Sequence, residues 1–332
     1  MPTKNDVLSI LENERGRFVS GQELAEALHL SRTAVWKAVK NLEEDGHRIL
    51  AIKNRGYMLD ERSDMLSEEG IRVHMPDRYI DCPIYVFDTT DSTNTEAKKL
   101  ALDNAAHGTM LLAEEQTAGR GRSGKSFFSP REAGLYMSII LKPDLGISDP
   151  QLITIAAAVS VCEAIEKIAG LRPQIKWVND IYLNGKKICG ILTEAITDLE
   201  SGGIESIVVG IGINCIETNS LPDDLRDIAG ALGKDGLSRN HLAAEIAAGV
   251  LDSFNNLENR EIIDEYRKRS LMYGRDISFL RGDERLFATV TGINDIGNLQ
   301  ARLKSGEEIV LSSGEVSIGS LKNLGVEKND EE

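Results

Sequence analysis

The spacing of apolar residues changes twice along the chain, and the changes divide it into three parts. In the first part the spacing is helical. Val7, Leu8, Ile10 and Leu11 mark a helix over 3–14, with Thr3 placed to cap it. Ser20 and Glu23 have the spacing of a capping box ahead of a second short helix. A tight turn at His29-Leu30 leads to a third helix, which Ser31 caps and which carries the stripe Ala34, Val35, Ala38, Val39 and Leu42. Two apolar runs around Asn54-Arg55-Gly56 then predict a β-hairpin. Three helices and a wing predict a winged helix-turn-helix DNA-binding domain over 1–62. Ser31, Arg32, Thr33, Trp36 and Lys37 would face a major groove and its phosphates, and Lys53 and Arg55 would form the tip of the wing. Trp36 has a competing place, as filler of the domain core.

Residues 63–80 are mixed and polar, and read as a linker with a short helix from Ser67. From 81 to 270 strand patterns alternate with helical ones. Strands are predicted at 84–87, 109–113, 135–141 and 207–214, with a hairpin about Asn184-Gly185 that joins 175–183 to 186–194. Helices are predicted from 95, over 152–168 and across 237–270. From 271 to 324 the pattern changes again, to short strands separated by glycine turns, which suits a small SH3-like β-barrel. The last residues, 325–332, are charged and expected to be disordered. The fold class is α+β in three domains.

Charge separates the parts further. Residues 1–62 hold ten Lys/Arg and ten Asp/Glu, so the whole formal charge of −15 lies on the remainder. The acidic body does not look like a nucleic-acid binder, whereas the neutral first domain can be one. Four scattered cysteines and five scattered histidines give neither a disulfide framework nor metal-ligand spacing, and no protein-held metal is expected. No apolar run approaches the ~18 residues of a membrane span, so a cytoplasmic location is expected, without membrane contact.

The chemistry gathers in the middle part. Residues 119–125, Gly-Arg-Gly-Arg-Ser-Gly-Lys, pack three glycines and three cations into seven positions. They are either a basic turn in solvent or a loop that wraps an anion. A Walker loop is excluded by the missing Gly-Lys-Ser/Thr, and a dinucleotide fingerprint by the spacing. Ser92-Thr93-Asn94 falls where a strand hands over to a helix, and either caps that helix or reads a small polar ligand. Lys176, Asp180 and Lys187 interrupt apolar strands, while Gly210 and Gly212 leave room beside another. There is no Ser/His/Asp or Cys/His set. Cations from separate segments favour holding polyanions over hydrolysis, as activation of a carboxylate by ATP requires.

Five motifs together carry a resemblance that covers essentially the whole chain. They are Asp91-Ser92-Thr93-Asn94, Gln116-Thr117-Ala118-Gly119-Arg120-Gly121-Arg122, Lys176-Trp177-Val178-Asn179-Asp180, Lys187-Ile188-Cys189-Gly190-Ile191-Leu192 and Gly210-Ile211-Gly212-Ile213-Asn214. With the domain order, they resemble the bifunctional biotin–protein ligases and biotin-operon repressors. The resemblance implies a mixed-sheet, class II synthetase-like central domain. Ser92, Thr93 and Gln116 would hydrogen-bond the biotin ureido ring, with Asn94 near the sulfur ring. Arg120-Gly121-Arg122 would close over biotin and phosphate as a mobile lid. Arg122 would stabilise the α-phosphate and Lys187 would bind the carboxylate. Asn179, Asn214, Lys176 and Phe127 would hold the nucleotide, and Asp180 would serve the metal-phosphate or the incoming lysine. Biotinyl-5′-AMP would form from biotin and Mg2+·ATP, and biotin would pass to a lysine of the carboxyl carrier protein of acetyl-CoA carboxylase. With the adenylate bound, a homodimer would repress biotin operator DNA. Val178 and Phe127 depart from the family's usual proline and tryptophan. Two other readings compete: a ligand-sensing repressor without catalysis, and a lipoate–protein ligase.

Overall fold

The computed structural model describes residues 4–143, 150–197, 203–218, 220–257 and 261–318. Thr3 and the charged tail 325–332 lie outside the described residues. In the first domain, α1 (Lys4–Asn13), α2 (Gly21–Ala27) and α3 (Arg32–Glu44) pack on the hairpin β1 (Ile49–Ile52) and β2 (Gly56–Leu59). Ser20 and Glu23 form the reciprocal capping box, and the Ser31 side chain accepts from the Ala34 N–H. Val7, Leu11, Leu24, Val35, Val39, Leu42 and Leu59 make the core. Trp36 is not part of it; half of its surface is exposed. Val19 bridges Tyr57, so close to the wing that a Cβ at Gly56 would meet the Val19 carbonyl.

The linker is pinned from both sides. Arg15 donates to the carbonyls of Asp60 (3.3 Å) and Ser63 (2.8 Å). From the other domain, buried Arg239 pairs with Asp64 at 2.7 Å and Glu114 at 2.8 Å. Asn240 accepts from the Ser67 N–H, and Ser67 caps α4 (Glu68–Arg72). Breaking one partner of such a buried ion pair leaves an uncompensated charge, so this junction is not a free tether.

The central domain is one seven-stranded sheet. Its strands are β3 (Ile84–Thr90), β4 (Met110–Gln116), β5 (Gly134–Leu141), β6 (Gln174–Lys176), β7 (Asp180–Leu183), β8 (Lys186–Thr197) and β9 (Ile204–Asn214), in the order β3-β4-β5-β9-β8-β7-β6. Only β3 and β4 pair in parallel. α5 (Thr93–Leu102) packs on one face, where Ala97 and Ala101 meet Leu111, Ile140 and Val208. α6 (Pro150–Ala169) lies on the other, apolar nearly all round because α7 (Arg239–Asn255) and α8 (Glu261–Arg269) cover its back.

Three elements differ from the sequence reading. α5 begins at Thr93, two residues earlier than expected. The helical stretch 237–270 is two helices. The strand expected over 175–183 is broken at 177–179. There the buried Trp177 indole donates to the Gly297 carbonyl at 2.9 Å, and Tyr266 donates to the Val178 carbonyl at 3.1 Å. These tertiary bonds draw the chain out of the sheet, which no local propensity announces.

The C-terminal strands are β10 (Asp276–Arg281), β11 (Glu284–Ile293), β12 (Leu299–Leu303), β13 (Glu308–Leu311) and β14 (Val316–Ile318). They form an antiparallel sheet ordered β13-β12-β11-β10-β14. Phe279, Val290 and Leu299 share one core cluster with Ile153 and Tyr266, so the barrel is fused to the central domain.

Candidate active site

A cavity of about 380 Å³ opens at the ends of the central strands, roofed by residues 120–128 and by Gly314–Ser317 of the barrel. Every ligase-site residue singled out in the sequence lines it: Ser92, Thr93, Asn94, Gln116, Arg120, Gly121, Arg122, Phe127, Lys176, Asn179, Asp180, Lys187 and Asn214.

One end is neutral and internally bonded. Ser92 stands at the cap position of α5 but its side chain does not cap the helix, which removes the capping explanation. Gln116 Oε1 accepts from the Thr93 N–H at 2.8 Å and from the Thr93 hydroxyl at 3.1 Å. Gln116 Nε2 donates to Ser129 Oγ at 2.9 Å. Ser138, fully buried on β5, lies 2.8 Å from the Thr93 hydroxyl and 2.6 Å from Asn94 Oδ1. The Asn94 amide in turn donates to the Leu192 carbonyl at 3.3 Å and to Glu194 at 2.9 Å.

The floor is a shelf of glycines in register. Gly210 pairs with Ser138 and Leu192, and Gly212 pairs with Tyr136 and Gly190. Alternation puts these glycines on one face. A Cβ at Gly210 would sit 2.1 Å from Asn94 Oδ1, and one at Gly212 would sit 2.6 Å from the Phe127 ring. The bulky groups that the missing side chains admit are therefore the protein's own Asn94 and Phe127.

The other end is cationic, and each cation is held by a partner or by burial. Lys187 pairs with Asp180 at 2.6 Å. Arg122 donates to Asn179 Oδ1 at 2.8 Å and to the Gly314 carbonyl at 3.4 Å. Lys125 pairs with Glu315 of the barrel at 2.6 Å. Burial pushes the Lys176 ammonium pKa down, against the opposing pull of Asp180. Asn214 donates to the Gly230 carbonyl at 2.9 Å. The loop doubles back on itself: Gly121 N–H donates to the Lys125 carbonyl at 2.7 Å, and Phe127 N–H to the Gly119 carbonyl at 2.9 Å. A Cβ at Gly119 would lie 2.4 Å from the Phe127 carbonyl, so glycine is needed there. This loop is no solvated turn; it walls a cavity.

Sequence reading missed Ser129, Ser138 and Glu194. Ser138 had a signal, a lone hydroxyl inside an otherwise apolar central strand. Glu194 follows Gly190 at even spacing, which places it on the cavity face of β8. Among the described residues, no group of three or more His, Cys, Asp or Glu could hold a metal ion.

On the first domain, Ser31, Arg32, Thr33, Trp36 and Lys37 are all exposed on α3, and Lys53 and Arg55 are exposed at the wing. The Arg55 guanidinium lies 4.2 Å from the Phe18 ring centre, which steadies the wing tip.

Residues 86–214 match the Biotin/lipoate A/B protein ligase family, 3–58 match an HTH domain, and 273–319 match the biotin protein ligase C-terminal domain. The bifunctional ligase/repressor BirA of Bacillus subtilis is 39% identical over 232 residues, 70% of this chain and 71% of that protein. The chain belongs to the biotin protein ligase family. The ligase shows the same likeness at greater distance. The Escherichia coli BirA is 28% identical over 301 residues, 88% of this chain and 90% of that protein. The biotin protein ligase from Aquifex aeolicus, solved with biotin and ATP, superposes with a TM-score of 0.61 at 27% identity over 71% of this chain and 98% of that one. In this ligase, the helix-turn-helix, the ligase domain and the C-terminal domain follow one another along a single chain. Among the described residues no helix is long and apolar enough to cross a membrane.

Proposed function

We propose that this enzyme joins biotin to AMP in the cavity, passes biotin to a lysine of the acetyl-CoA carboxylase carrier protein, and represses biotin genes when no acceptor is at hand. The observation that carries the reading is the polarity of the cavity. Neutral hydrogen-bonding groups at Thr93 and Gln116 suit the ureido ring of biotin, and the apolar Phe127 ring that covers the glycine shelf suits its fused ring and the adenine. Arg122, Lys176 and Lys187 suit the carboxylate and the phosphates.

In the first step a biotin carboxylate oxygen bonds to the α-phosphorus of ATP, the α–β bridging P–O bond breaks, and pyrophosphate leaves. Lys187 and Arg122 hold two anions together and spread the charge that builds on the α-phosphate. Mg2+ enters with ATP as part of the substrate. The carboxylates lining the cavity, Asp180 and Glu315, fit an ion that binds through one or two carboxylates, phosphates and water. In the second step the carrier lysine amine attacks the acyl carbonyl, AMP leaves, and an amide remains. Asp180, which lines the cavity, would pair with the incoming lysine ammonium and take the proton that it gives up before the amine attacks.

Retained adenylate favours a homodimer, joined sheet edge to sheet edge, whose paired first domains read a two-fold operator through Arg32, Trp36 and Lys37, with Lys53 and Arg55 on phosphates. A cytoplasmic enzyme fits both partners. The test is mass spectrometry of a carrier domain incubated with the enzyme, biotin and Mg2+·ATP. A mass gain of one biotinyl group is expected. An unmodified carrier, with adenylate equally absent, would leave only the non-catalytic sensor. Competition between biotin and lipoate in the same assay separates the two acids.

A further inference from the structure

Glu194 is a charged side chain from β8 that reaches α5 and the glycine–arginine loop together. Its Oε2 accepts from Asn94 Nδ2 at 2.9 Å, and its Oε1 accepts from Lys98 Nζ at 2.9 Å. The same Oε1 faces Arg120 Nη2 at 3.7 Å. Burial alone would raise its pKa, but Lys98, Asn94 and Arg120 outweigh that and lower it, so it is ionised at neutral pH. Asn94 is thereby fully committed. Ser138 bonds its oxygen, and Leu192 and Glu194 take both hydrogens of its amide. Among the described residues Arg120, by contrast, has the long contact to Glu194 as its ion pair, and half its side chain is exposed.

We propose that Glu194 is the catch of the loop: a positioning residue against which Arg120 holds residues 119–125 shut over the adenylate. Lys98 competes for the same carboxylate, so the grip is set by a three-way balance between α5, the loop and β8. Asn94 and Arg120 share this one anion, which ties the pose of the biotin-reading end of α5 to closure of the loop. The inference rests on adenylate formation as proposed above.

The test follows release of biotinyl-5′-AMP from the full-length enzyme after a single turnover without acceptor. Glu194→Gln keeps an acceptor for Asn94 and removes the charge. Release should quicken by about two- to fivefold, as expected for a half-exposed ion pair, with the Tm near wild type. Lys98→Met frees the carboxylate for Arg120 and should slow release. Combined with Arg120→Ala, Glu194→Gln should add nothing. A purely structural Glu194 would instead lower Tm and slow adenylate formation, with release unmoved or altered equally in the double variant. Release from Glu194→Gln at the wild-type rate would overturn the catch. Wild-type enzyme that forms no adenylate would overturn the functional reading itself, so the two failures are distinct.

Discussion

The two ends of the cavity are built on opposite plans. At the neutral end, proposed above to face biotin, the polar groups are buried or half-buried and already bonded to one another: Thr93 to Gln116, Ser138 to Thr93 and Asn94, Gln116 to Ser129. At the cationic end, proposed above to face phosphate, the charges are held by partners that a substrate would displace: Lys187 on Asp180, Arg122 on Asn179. A neutral ring is recognised by geometry fixed in advance, at low ordering cost. A polyanion is recognised by charges that exchange one partner for another, so that they act most strongly when negative charge develops. Loss of a group at the first end should weaken binding, and loss at the second should slow chemistry.

The largest effect is expected at Lys187. Lys187→Ala would remove the cation proposed to meet the developing α-phosphate, and it leaves Asp180 without the Lys187 partner. Adenylate formation should fall by about 10²–10³-fold in kcat, with the KM for biotin moving far less. Stopped-flow or pyrophosphate-release measurements read this directly. A large rise in KM at unchanged kcat would put Lys187 on the binding side and break the comparison.

Arg122→Ala comes next. Its guanidinium reaches both Asn179 and the barrel carbonyl of Gly314, so it joins the loop to the 177–179 turn and to the barrel. Retention of biotinyl-5′-AMP should weaken by about 1.5–3 kcal/mol, the range for a hydrogen bond to a charged group, while biotin alone binds within a few-fold of wild type. Equal retention by variant and wild type would show that the loop arginine does not touch the phosphate.

Ser138→Ala tests the other plan. The hydroxyl is buried and, among the described residues, bonds Thr93 and Asn94, so its loss should raise the KM for biotin by about 2- to 12-fold, the equivalent of about 0.5–1.5 kcal/mol, and leave kcat nearly unchanged. Titration calorimetry with biotin checks it. A fall in kcat at constant KM would mean that this end also takes part in the chemical step.

These differences follow how the residues were legible. The basic loop, the polar triplet after β3 and the glycines of β9 are visible as composition, since charge and glycine stand out in any apolar pattern. The caps at Ser20 and Ser31 are visible because capping is local. The five C-terminal strands follow from glycine turns. What the pattern could not carry is register. Only the pairing of Gly210 with Ser138 and Leu192 shows that Asn94 lies across three strands, and only then do Ser138 and Glu194 acquire a purpose. The break at Trp177 was hidden for the same reason, since its partner Gly297 is 120 residues away. The basic loop was open as a turn or a wall until its neighbours Asn179 and Glu315 were in place.

The smallest effect is also the most general. Lys125–Glu315 and Lys187–Asp180 are partly exposed, and these are the cations proposed to receive the phosphates. Mobile ions screen such charges over about 8–10 Å near physiological ionic strength. The bonds among Thr93, Gln116, Ser129 and Ser138 involve neutral groups and are largely buried, so salt has little to act on there. Raising the ionic strength from about 0.05 M to about 0.3 M should therefore raise the KM for ATP several-fold and leave the KM for biotin within about twofold. Both constants come from one pyrophosphate-release assay at constant pH. Parallel changes in the two would mean that charge reaches the biotin end after all, with Glu194 and Arg120, the charges nearest to it, as the groups responsible.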